Sequence, residues 1–122
     1  AHPERVRAAA VGAPGIVTLL DGERPWPAGI GDAEATIGRA VEPSAVARVP
    51  IQIAVGADDV ETWEIGATPD EPFYIAGVND VGVNRQQRAD ALAASLRAAG
   101  AQVRHDVVPG AAHNAVLVFP VV

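Results

Sequence analysis

The sequence predicts an α/β fold of about three parallel strands with flanking helices, and three observations lead there. Val49-Pro50-Ile51-Gln52-Ile53-Ala54-Val55 is β-branched and nearly continuous in hydrophobicity, as in a parallel strand covered on both faces. Ala89, Leu92, Ala93, Leu96 and Ala99 recur at helical spacing until Gly100 stops the run, which gives an amphipathic helix. Apolar runs at 6–11 and 102–108 supply a strand on either side of these two elements. Strands thus alternate with helices, the order expected of right-handed crossover connections.

In chain order, residues 6–11 predict a short buried strand emptying into Gly12-Ala13-Pro14-Gly15, with one turn of helix as the alternative because alanine favours it. That glycine-containing turn lacks the spacing of a phosphate-cradling loop, and no helix start follows it. From about 16 to 48 the chain makes a stiff excursion, because Gly22, Pro25, Pro27, Gly29 and Gly31 exclude long regular structure. Within it Asp32 is placed to cap a short helix to about Arg39, and Pro43 suits the first turn of another to about Arg48. After the strand at 49–55, closed by Gly56, a second excursion at about 60–83 holds Trp63, Pro69, Pro72, Phe73 and Tyr74. It is long for a connection inside a compact domain and so is lid-like. Trp26 and Trp63 either line a lid or pocket or cover the small core. Asn84 with Gln87 three residues on resembles a capping box at the start of the helix. The last predicted strand, 102–108, leaves through Pro109-Gly110-Ala111-Ala112-His113-Asn114, and 115–122 is apolar and suits a truncated final helix.

Composition narrows the classes. A chain of 122 residues makes one small domain, 1–122. Acidic residues number 15 against 9 basic ones, a net charge of −6, and the basic side chains are scattered singly, which argues against nucleic acid as a partner. Absence of cysteine removes disulfides and thiolate metal sites and leaves the compartment open. His2, His105 and His113 show no zinc-ligand spacing, so no metal is expected, and His2 and His105 are read as structural or exposed. No stretch reaches the roughly 20 apolar residues of a membrane span, and Glu4, Arg5 and Arg7 do not fit a signal peptide, so a soluble chain without a membrane partner is expected. The chain has no methionine and opens Ala1-His2-Pro3, so an upstream portion is expected; arginine is its only basic residue beside abundant alanine, which suggests a GC-rich bacterial genome.

In parallel sheets the working groups collect beyond the carboxyl ends of the strands. Asp58 and Asp59 follow one strand and His113 follows another, so an acid and an imidazole are expected to leave neighbouring strands at the same sheet edge. In such a pair the carboxylate fixes the imidazole tautomer and stabilises the imidazolium formed when the ring takes a hydroxyl proton. The plain alternatives are a solvated Asp-Asp turn and a surface histidine.

Val55-Gly56-Ala57-Asp58-Asp59, then a helix, a strand and Pro109-Gly110-Ala111-Ala112-His113-Asn114, resembles the C-terminal part of α/β-hydrolases of the esterase and dienelactone-hydrolase-like type. The opening His2-Pro3-Glu4-Arg5-Val6-Arg7-Ala8 followed by Gly12-Ala13-Pro14-Gly15 is similar to the segment after that family's nucleophile-bearing helix, so the resemblance spans nearly the whole chain. It implies an incomplete sheet whose first strand has an unpaired edge, the missing N-terminal part of the fold as partner, and no cofactor. It also implies Asp59, or Asp58 as the close alternative, as triad acid and His113 as triad histidine. The family's serine stands in a Gly-x-Ser-x-Gly elbow, and this chain has none. Its only serines are Ser44 and Ser95. The resemblance therefore implies a segment of a serine hydrolase acting on a small-molecule carboxylic ester or similar acyl bond, inactive in isolation for want of a nucleophile. The rival expectation is a non-catalytic, hydrolase-like binding or structural module.

Overall fold

The computed structural model describes residues 2–66, 68–71, 74 and 76–121. Pro72 and Phe73 of the second excursion, and Val122 of the apolar tail, lie outside the described residues. Three parallel strands, β1 (Ala9–Gly12), β2 (Ile51–Gly56) and β3 (Val103–Val108), form a sheet in the order β1-β2-β3. The register sets Ile51 beside Ala9 and Val103, and Ala54 beside Gly12 and Asp106. The helices are α1 (Ala33–Ile37), α2 (Pro43–Val46), α3 (Arg85–Ala98) and α4 (Ala115–Val118), the last running into a 3-10 turn at Phe119–Val121.

Alternation along the strands sends odd and even residues to opposite faces. On one face Ile51, Ile53 and Val55 pack with Ala89, Ala93 and Leu96 of α3 and with Val49 and Ala101, which makes the main core. Burying a side chain such as Ile53 contributes about 1.5–3 kcal/mol. On the other face Ala54 meets Ala111 and Val118, a smaller cluster completed by Val108. β2 is buried nearly throughout because it has a neighbour on both edges. The expected short buried strand at 6–11 starts later and is only half-buried, since among the described residues β1 has a partner on one edge alone.

Local signals fared unevenly. The Asn84 side chain accepts from the Gln87 amide at 2.9 Å, and Gln87 reaches back one residue further than expected, accepting from the Val83 amide at 3.0 Å. Gly100 stops the helix with φ +93°, a conformation glycine adopts without cost. Asp32 precedes α1 but does not cap it through its side chain; its carboxylate accepts from the Trp26 amide instead. The two short helices end sooner than expected, α1 at a left-handed Gly38 and α2 at Val46. No helix among the described residues is long and apolar enough to cross a membrane.

Candidate active site

The acid turn begins where β2 ends. The Asp59 amide donates to Gly56 O at 3.2 Å and the Asp58 amide to Ala111 O at 2.8 Å, while Ala57 N donates to Val108 O at 2.8 Å. Backbone hydrogen bonds thus tie the turn to the end of β3 and to the loop leaving it. Gly56 makes that approach possible, because a Cβ there would collide with the carbonyl oxygens of Ala111 and Ala112. Of the two aspartates, Asp58 is exposed and Asp59 is buried, which separates the alternatives that the sequence leaves open.

Asp59 has a side chain 0% exposed, and a carboxylate there is tolerable only when paired. Its Oδ2 lies 3.1 Å from His113 Nδ1 and its Oδ1 lies 3.4 Å from Arg85 Nη1. The histidine comes from the other loop. Gly110, at φ +68°, lets the chain turn after β3, and Ala111 anchors the turn against Ala54 and Val118. Asn114 then caps α4 by accepting from the Val116 amide at 3.0 Å. His113 stands between anchor and cap with its side chain 49% exposed. It lines a groove of about 260 Å³ with Gly12, Ala13, Asn114, Ala115, Val118 and Phe119. A larger hollow of about 660 Å³ lies at the strands' opposite ends, beside Ala8, Pro50, Gln52 and Arg104, far along the sheet from the acid and the imidazole.

Sequence reasoning missed the groups that hold the acid. Gln86 Nε2 donates to Gly56 O at 2.9 Å and also to Ala57 O, pinning the turn to the start of α3. Arg85 bridges Asp59 and Glu64, at 3.4 and 2.7 Å. Arg88 is fully buried and donates to Gly82 O and Ile65 O, both at 2.9 Å, and to Gly15 O, so one guanidinium ties the loop after β1 to two points of the second excursion. Burial, and secondly the charge of Arg85, lower its pKa from the usual arginine value. A signal was available: Arg85 lies four residues before Ala89 and therefore on the same helix face as the core residues.

The other singled-out residues lie elsewhere. His105 packs against α3 with Nδ1 3.5 Å from Asp90 Oδ1, whereas His2 is exposed beside Glu4. Ser95 sits within α3 and accepts from the Leu20 amide at 2.8 Å, and Ser44 is exposed on α2. Trp63, at 74% exposure, does not cover the core, and its indole donates to Glu61. Among the described residues no group of three or more histidine, aspartate or glutamate side chains is placed to hold a metal ion.

No protein-family model and no curated protein sequence matches the chain. Solved structures similar in shape include two bacterial proteins. A poly(3-hydroxybutyrate) depolymerase from Bordetella parapertussis superposes with a TM-score of 0.66 at 23% identity, covering 87% of this chain and 35% of that one. Poly(aspartic acid) hydrolase-1 from Sphingomonas sp. KT-1 gives 0.71 at 22% identity, covering 92% of this chain and 42% of that one. The chain therefore spans well under two thirds of either structure's length. At this level of identity the likeness shows the fold: the chain has the architecture of part of an α/β-hydrolase, an open parallel sheet flanked by helices.

Proposed function

We propose that the chain supplies the acid and the histidine of a Ser-Asp-His triad in a hydrolase acting on carboxylic esters or similar acyl bonds, with the serine coming from a part of the protein outside these residues. The observation that carries this reading is the contact of 3.1 Å between Asp59 Oδ2 and His113 Nδ1. A buried carboxylate accepting from Nδ1–H leaves Nε2 as the basic nitrogen, in a half-exposed ring that lines a groove. In the reaction His113 Nε2 takes the serine hydroxyl proton as the serine oxygen bonds to the acyl carbon, and gives that proton to the departing alcohol. A water molecule repeats the exchange and frees the acid. Asp59 keeps its negative charge throughout and stabilises the transient imidazolium.

The shape-matched structures are named for a polyester and for a polyamide made of acidic units, so they do not choose the bond. The groove gives some guidance, because among the described residues its lining, apart from His113, is apolar or neutral, which suits an uncharged acyl chain better than an acidic one.

The test is hydrolysis of p-nitrophenyl acetate and butyrate by the full-length protein, with and without His113→Ala. A loss of about 10³-fold or more in kcat with the protein still folded supports the triad. If the folded variant hydrolyses as fast as its parent, the reading fails and a binding module takes its place.

A further inference from the structure

Asp59 is held from two sides, and only one side belongs to the proposed triad. Its Oδ1 meets Arg85 Nη1 at 3.4 Å, and that same nitrogen lies 2.7 Å from Glu64 Oε2. The Arg85 side chain is 9% exposed and that of Asp59 0%, so the two charges interact where water screens little. Glu64, at 31% exposure, reaches Arg85 from the solvent side. Arg88 lies on the same helix and feels the charge of Arg85, while Asp58 is turned to solvent. The result is a row of alternating charge, Glu64, Arg85 and Asp59, that ends on the His113 ring.

We infer that Arg85 is a positioning residue for the acid–imidazole pair and that Glu64 governs how far Arg85's charge is felt at Asp59. This inference rests on the roles proposed above for Asp59 and His113. Asp59 favours the imidazolium through its negative charge. A guanidinium on its other oxygen offsets part of that charge, and a carboxylate on the guanidinium restores part of it. Arg85 and Glu64 therefore act on the basicity of His113 with opposite signs, although neither touches the ring. Arg85 also fixes the carboxylate in rotation, since each of its oxygens is engaged.

The two substitutions that separate this from a structural role are Arg85→Gln and Glu64→Gln, made in the full-length protein and read by NMR titration of the His113 ring. Arg85→Gln is expected to move the midpoint up, and Glu64→Gln to move it down, each by about half a unit. A role limited to packing predicts no such pair of opposite movements. The inference is overturned if both midpoints stay within about 0.2 unit of the parent or move in the same direction. Should Arg85→Gln fail to fold, Glu64→Gln decides alone: a fall supports the inference, and no change or a rise sinks it. Ester hydrolysis by His113→Ala is measured in parallel. If that activity survives, the catalytic reading fails on its own evidence, while the titrations still judge the charge row.

Discussion

The acid turn and the histidine loop leave neighbouring strands at the same end of the sheet, but they are held in different ways. Asp59 is enclosed, with both carboxylate oxygens engaged and its turn gripped by Arg85 and Gln86 from the first turn of a 14-residue helix. His113 is half in solvent, between a buried alanine and a helix of 4 residues. In the proposed triad the general base must exchange protons with substrate and water, whereas its acid only has to stay put and stay charged. Rigidity is concentrated on the partner that can be buried, and access on the one that cannot.

This contrast is sharpest in the pair itself. Asp59→Ala in the full-length protein is expected to cost about 2–3 kcal/mol, because Arg85 and His113 each lose a buried charged partner and Arg85 keeps only Glu64, whereas His113→Ala is expected to cost about 1 kcal/mol or less. Urea unfolding of both variants measures the difference; equal losses would mean that the acid is no more structural than the histidine. A smaller contrast lies in the helix caps. Asn84→Ala is expected to cost about 1 kcal/mol, since it frees the start of the helix that grips the acid, and Asn114→Ala about 0.5 kcal/mol, the low end for a cap. Thermal melts would reverse the argument if Asn114 proved the costlier loss.

The smallest effect concerns acid stability. Asp106 has its pKa lowered from the usual aspartate value, chiefly by the hydrogen bond from Gln52 and next by Arg104. A depressed carboxylate contributes stability above its unfolded value, and that contribution is lost as pH falls through the lower folded value. Asp106→Asn should therefore lower the melting temperature slightly at neutral pH and flatten its decline below about pH 4. An unaltered acid limb would show that Gln52 does not discriminate between the two protonation states.

Much of this arrangement was legible in the sequence because it depends on chain order. The β-branched run around Ile53 and the helical spacing of Ala89, Ala93 and Leu96 mark elements whose packing agrees with their local pattern. Placing Asp59 and His113 at one edge needed only the rule for parallel sheets. The residues alone did not decide between Asp59 and Asp58, which the resemblance ranked in that order, because burial at adjacent positions turns on how a turn is folded down, and Gly56 and Gln86 determine that. Arg85 and Glu64 escaped for a related reason: their contact crosses an irregular connection, where spacing carries no information about distance. Asp32 misled because a carboxylate beside a helix start has more than one amide to choose from, and that of Trp26 won.

Gly56 presses the acid turn directly against the carbonyls of the histidine loop. The gap between carboxylate and imidazole is therefore gauged by peptide backbone and sheet register, and not by the side chains that line the groove. Exposed lining side chains such as Ala115 and Phe119 can be exchanged without resetting the gauge, unlike Val118 and Asn114, which hold the histidine loop. Those exposed positions are open to redesign, whereas position 56 tolerates glycine alone.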